Sequence, residues 1–155
     1  MTTAPAPYRE LTITRIFDAP RELVFKVWTE PKHLKQWWGP KIFTIPICEV
    51  DLRVGGVLRI VMHSPEWGTA PMKGIFREIT APERLVFTNI AVDENGNTLL
   101  EGLTTVTFAD HGDKTKLTVH TTARGVASIA VQMLAGMDQG WAETIDKLET
   151  YLAGL

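Results

Sequence analysis

The sequence predicts an α+β protein in which one seven-stranded antiparallel sheet curves around a long C-terminal helix, with two short helices between the first two strands. Three observations lead there. Residues 43 to 122 are runs of β-branched and aromatic residues broken at short intervals by Gly, Pro, Asn and Asp. After Gly125 the apolar period changes to helical, with Met133, Met137, Trp141, Ile145, Leu148 and Leu152 on one stripe. Between residues 18 and 40, prolines and a Gly-Pro pair punctuate two short helical stretches.

Residues 1 to 8 carry two prolines and little to bury, and read as a flexible N-terminal tail ahead of a single domain over 9–155. Leu11 to Phe17 alternate apolar with Thr and Arg, the pattern of a half-buried strand. Asp18 offers an N-cap oxygen and Pro20 a preset φ for a helix whose buried face carries Leu23, Val24, Val27 and Trp28. Pro31 starts a second helix and stops the first from continuing, and Gly39-Pro40 ends the pair. Six strands follow at 43–50, 56–64, 71–79, 84–92, 99–108 and 115–122. The breaks at Gly55-Gly56, Ala81-Pro82, 93–97 and 110–113 are turn chemistry, so the strands form hairpins and an antiparallel meander. In the last helix Glu143 and Lys147 stand at i,i+4, and Gly136 and Gly140 favour a bend. That helix owns the only long apolar stripe, so it covers the sheet's apolar face.

Composition narrows the function classes. The 155 residues are 45% hydrophobic and 22% charged with a net charge of −2, ordinary for a globular domain. A pI near 6.1 gives none of the basic footprint that nucleic-acid binding requires. Cys48 is the only cysteine, which rules out an internal disulfide and a multi-thiolate metal site and fits a reduced cytoplasmic setting. The start lacks a secretory signal pattern. The longest uncharged run, Gly125 to Met137, is shorter than the ~20 residues of a membrane span.

No catalytic motif is assembled: there is no GxSxG, HExxH, P-loop or dinucleotide fingerprint, and no metal or organic cofactor is indicated. Glu49 and Asp51 share one strand face, a spacing that serves either acid–base work or a solvated edge. Cys48 reads as a small buried hydrophobe. Arg53, Arg59 and Arg77 could meet an anionic head group or solvate the outer sheet face. Met62, Trp67, Phe76, Phe87, Met133, Met137 and Trp141 suit either an apolar ligand pocket or an ordinary core. Trp37 and Trp38 form either a gate or the end of the core, with one ring closing it and the other partly exposed. Polar residues on strands are more diagnostic, because a buried polar group needs a partner or a ligand; these are His63, Asn89, Thr105, Thr107 and His120. Alternation with Leu117 and Val119 turns His120 toward solvent.

Three segments carry a family resemblance: Phe17-Asp18-Ala19-Pro20-Arg21-Glu22-Leu23-Val24-Phe25, then His33 through Trp37-Trp38-Gly39-Pro40, and Gly140-Trp141 through Asp146-Lys147-Leu148. Residues 48–56 and Pro82-Glu83-Arg84-Leu85-Val86 agree further. With the element order, they resemble the activator-of-heat-shock-ATPase-homologue-like family of the START and birch-pollen-allergen (SRPBCC) superfamily over about residues 11 to 153. The resemblance implies a helix-grip fold with a cavity between sheet and terminal helix. The cavity candidates are then Trp38, Met62, Trp67, Phe76, Phe87, Asn89, His120, Met133, Met137 and Trp141. The leading functional expectation is binding of a hydrophobic or amphipathic small molecule by a monomer or homodimer. The alternatives are a stress-response co-chaperone acting on a heat-shock chaperone ATPase, and a cyclase, aromatase or hydratase using the cavity. The co-chaperones of this family carry an additional N-terminal domain, whereas only about ten residues precede the first strand here.

Overall fold

The computed structural model describes residues 7–155. Its elements run β1 (Tyr8–Phe17), α1 (Arg21–Thr29), α2 (Pro31–Trp37), β2 (Thr44–Val50), β3 (Val57–Ser64), β4 (Gly68–Thr80), β5 (Arg84–Val92), β6 (Thr98–His111), β7 (Lys114–Gly125), α3 (Ala130–Ala135) and α4 (Met137–Ala153). The expected α+β class, seven strands and paired short helices are all present.

The strands form one antiparallel sheet in the order β1-β7-β6-β5-β4-β3-β2. Consecutive strands from β2 to β7 are neighbours, as tight turns dictate. The one distant pairing is β1 on β7, in register from Tyr8 opposite Arg124 to Phe17 opposite Thr115. Of the expected tail, residues 1–6 lie outside the described residues, and Tyr8 is already strand. Several strands overrun their expected ends because the turns are tighter than the polar clusters suggested. The β6–β7 hairpin, for example, turns at Gly112, whose φ of +67° is accessible to glycine at little cost. Register shifts at 76–78 and 91–92 mark irregularities that bend the sheet.

The helical expectations need three corrections. Asp18 does not cap α1; Pro20 occupies the N-cap, and the extended approach is held by Thr115 Oγ1 donating to the Ala19 carbonyl at 2.7 Å. The terminal helix is not continuous, because Gly136 separates α3 from α4. Glu143 and Lys147 do not pair: Glu143 accepts from the Lys41 backbone N–H and from Gln139, and Lys147 donates to the Trp38 carbonyl.

The core lies between the sheet's concave face and the helices. Val24, Trp28, Trp37, Phe108, Leu117, Val119, Ile145 and Leu148 are its buried centre. Trp28 meets Trp37 at 4.6 Å between ring centroids and Phe108 at 6.2 Å, both edge-to-face, which aromatic quadrupoles favour. Trp37 is 0% exposed and its Nε1 donates to the Val27 carbonyl at 3.0 Å, satisfying the indole where no water reaches. Neither ring of the tryptophan pair is substantially exposed, since Trp38 is only 8% exposed.

Candidate functional site

Small residues on facing surfaces leave a gap in this packing. On β5, Phe87, Asn89 and Ala91 point to the concave face; β6 adds Leu100 and Thr104, and β7 adds Thr121 and Ala123. From β3 and β4 come Met62, Ala70 and Met72. The helical wall consists of Met133, Leu134, Met137, Gly140, Trp141 and Thr144, and Trp38-Gly39-Pro40 closes one end. Ala70, Ala91, Ala123 and Gly140 are too small to fill the space between these walls, and a cavity of about 260 Å³ remains. An engineered apolar void of ~150 Å³ holds benzene. The space here suits a somewhat larger molecule, just below the ~300 Å³ lower end of small-molecule sites.

Sulfur and aromatic atoms dominate the lining. Of the five methionines in the chain, all but Met1 line the cavity. Unbranched thioethers reshape at little cost, so the wall adapts to its guest. Trp38 sits 5.7 Å from Trp141 and 6.5 Å from Phe87 between ring centroids, so three rings border the space. The sharp turn after Trp38 requires Gly39: its φ is +83°, and a Cβ there would stand 2.7 Å from Met62 Sδ.

Polar side chains interrupt the apolar surface in two places. Thr104 Oγ1 donates to Asn89 Oδ1 at 2.8 Å and lies 2.8 Å from Thr121 Oγ1. A hydroxyl has one proton and a carbonyl oxygen only accepts, so Thr121 donates to Thr104 and Thr104 to Asn89. Both threonines are buried, at 0% and 1% exposure, whereas the half-buried Asn89 borders the cavity. Thr144, on the opposite wall, donates to the Gly140 carbonyl at 2.8 Å. No Lys, Arg, Asp, Glu or His belongs to the lining. The wall can therefore hold and orient a guest, and it offers no group that shuttles a proton near neutral pH.

Seven of the ten cavity candidates meet here: Trp38, Met62, Phe87, Asn89, Met133, Met137 and Trp141. The other three lie elsewhere. Phe76 is buried against Phe87 at 6.2 Å and does not border the space. Trp67 is 70% exposed at the β3–β4 turn, where its backbone N–H is held by Ser64 Oγ. His120 is on the outer sheet face, its Nε2 3.3 Å from Glu10. That pairing, with a hydrogen bond from Tyr8, lowers the Glu10 carboxyl below its ordinary range. His63 is also outside, with Nδ1 3.2 Å from Thr69 Oγ1. Thr105 and Thr107 are one strand position out of phase; Thr104, which shares parity with buried Val106 and Phe108, is the residue that faces inward. That parity was the available signal for Thr104, and the parity of Val119 and Ala123 was the signal for Thr121.

A second, shallower cleft of about 450 Å³ separates α2 from α4, lined by Gln36, Lys41, Glu143, Asp146, Lys147, Thr150 and Tyr151. Its carboxylates are already engaged: Arg15 bridges to Asp146 at 2.5 Å, and the Lys41 backbone N–H and Gln139 hold Glu143 and lower its carboxyl. Beside it, His33 Nδ1 is 2.6 Å from the Tyr151 hydroxyl. Of the carboxylates and arginines singled out in the sequence, Glu49 pairs with Arg59 at 2.7 Å and Asp51 with Arg53 at 2.8 Å, and Arg77 is exposed on β4. Burial pushes the Cys48 thiol up to about 11, which leaves it protonated at neutral pH. Among the described residues no three His, Cys, Asp or Glu side chains gather as a metal site, and no helix is long and apolar enough to cross a membrane.

Comparison with solved structures returns this architecture. A Nitrosomonas europaea protein is 30% identical, with 94% of each chain covered and a TM-score of 0.73. An Arthrobacter aurescens protein is 27% identical over 94% of this chain and 87% of the other, with a TM-score of 0.79. The AHSA1 protein from Silicibacter pomeroyi, at 22% identity, 94% and 98% coverage and a TM-score of 0.76, shares the fold. Functionally curated proteins give no match. The family model described as "Activator of Hsp90 ATPase homolog 1-like protein" matches residues 18–153, and the chain belongs to that family.

Proposed function

We propose that this protein is a cytoplasmic binder of a small hydrophobic or amphipathic molecule, held between the sheet and α3–α4. The observation that carries the reading is the lining: four thioethers and three aromatic rings around 260 Å³, with a few hydrogen-bonded polar side chains and no charged one. Apolar walls with a few convergent polar groups are the usual makeup of small-molecule sites. Holding is favoured over turnover because no lining side chain is an acid or base that works at neutral pH. The cytoplasmic assignment is supported by the single cysteine, kept as a thiol by burial.

The test is native mass spectrometry of freshly purified protein beside its denatured mass, followed by titration with indane monitored by tryptophan fluorescence. Saturable quenching with an equal stoichiometry of sites and protein is expected, because Trp38 and Trp141 border the cavity. Indane that neither binds nor shifts the spectrum counts against the reading. Family membership favours a second role, action on a heat-shock chaperone ATPase. An ATPase assay with the purified chaperone checks it, and absence of stimulation at high micromolar protein dismisses it.

A further inference from the structure

We infer that the cavity selects neutral guests carrying one hydrogen-bond-accepting oxygen, a ketone, ester or ether rather than a carboxylate, and that the Asn89 amide reads that oxygen. The inference rests on the binding role proposed above and specifies the chemistry of its ligand.

The direction of the polar chain is decisive. Thr121 donates to Thr104, and Thr104 donates to Asn89 Oδ1, at 2.8 Å each. The Asn89 carbonyl is thereby engaged inside the wall, and its Nδ2, with two N–H donors, has no hydrogen-bond partner among the described residues. Glycine at position 102 keeps the amide uncrowded: a Cβ there would stand 3.0 Å from Nδ2. Asn89 borders the cavity, so these donors are available to a guest and to no other lining acceptor in contact with them. A donor pair in an apolar surround binds an acceptor oxygen and discriminates against a guest that lacks one.

The same lining rejects an enclosed anion. No cation is among the lining residues, and an unpaired carboxylate is excluded from such surroundings or neutralised. Lys147, on the same helix as Trp141, donates to the Trp38 carbonyl at 3.1 Å and lines the other cleft.

The experiment compares indane, indanone and indane carboxylate, three guests of nearly one shape, against the parent protein and Asn89→Leu. The expected result is an indanone-to-indane affinity ratio that falls threefold to tenfold in Asn89→Leu, the effect of one hydrogen bond. Indane carboxylate should bind the parent at least about tenfold more weakly than indanone. Thr104→Val provides a second variant, because it frees the amide to rotate; the ratio should fall there as well. An unchanged ratio in both variants, or a carboxylate that binds as tightly as the ketone, overturns the inference while leaving the binding role intact. Failure of the parent to bind indane or indanone overturns both.

Discussion

The ammonium of Lys147 donates to the backbone carbonyl of Trp38 at 3.1 Å, joining α4 to the end of α2 across 109 residues of sequence. The Trp38 N–H meanwhile donates to the Leu34 carbonyl at 3.1 Å as the C-cap of α2. Both backbone polar groups of Trp38 are therefore fixed, and a cation at a helix C-terminus also complements the helix dipole. The anchored backbone positions the ring, which packs against Trp28, Trp37 and Phe87, forms one end of the cavity and meets Trp141 from the same helix as Lys147. The bond thus couples the position of the terminal helix to the shape of the site.

Removing it with Lys147→Met keeps the apolar stem and should cost about 1 kcal/mol, the net worth of one hydrogen bond. Guanidinium unfolding followed by fluorescence measures it. The pH dependence has a definite sign. Burial lowers the affinity of the Lys147 amine for its proton below the ordinary value of 10.5. Between the folded and unfolded pKa the unfolded chain binds more protons, so this group's contribution to stability rises with pH through that interval. Below the interval its penalty is fully present, and above 10.5 the penalty is gone. The methionine variant should lose this alkaline rise; an identical rise in parent and variant would contradict the assignment to Lys147.

Filling the cavity should separate stability from binding. Ala123 is buried on the cavity wall, and Ala123→Leu projects a larger side chain into existing space. Overpacking a filled core costs about 1–3 kcal/mol, whereas occupying a void does not. The variant is expected to stay within about 1 kcal/mol of the parent and to lose at least tenfold in affinity for indane. Isothermal titration and thermal unfolding on the same samples decide it.

Oxidation provides a chemical probe of the lining. Met133 and Met137 are half-buried, while Met72 is 9% exposed, so mild peroxide should modify the first two before the third. A sulfoxide replaces an apolar surface with a polar one, so indane affinity should fall in step with oxidation at 133 and 137 and recover with methionine sulfoxide reductases. Peptide mass spectrometry beside binding tests the correlation.

Cys48 should behave as an inert thiol. Its pKa of about 11 implies slow labelling by a disulfide reagent at neutral pH, accelerating by about tenfold per pH unit as thiolate appears. Fast labelling at pH 7 would show that β2 opens locally at its edge of the sheet.

The architecture was legible because local signals agreed: turn residues separated the strands, and the helical period returned after Gly125. The β1–β7 pairing joins distant segments, and nothing local specifies it. The site was legible where apolar bulk indicates interior, as at Phe87 and Trp141, and illegible where one strand position decides a face. Thr105 drew attention because it is polar, yet Thr104 is the residue turned inward. Trp67 misled because bulk suggests burial, whereas the turn it occupies has no layer above it. His120 stood among the cavity candidates although alternation set it outward, and the structure follows the alternation.

The polar chain makes its own prediction through its direction. Thr104→Val removes the donor to Asn89 and the acceptor for Thr121, leaving a buried hydroxyl proton orphaned. Thr121→Val removes only a donor, and the Thr104 proton keeps its bond to Asn89. An orphaned buried group costs about 1–3 kcal/mol, while losing both partners of a bond together is far milder. Thr104→Val should therefore cost about 2 kcal/mol and Thr121→Val about 1 kcal/mol or less. The double variant should be no worse than Thr104→Val, since the proton that the single variant orphans is gone. Chemical unfolding of the three variants measures the cycle. The reverse order would mean that Thr104 donates to Thr121 and that the Asn89 carbonyl, not its amide nitrogen, faces the guest.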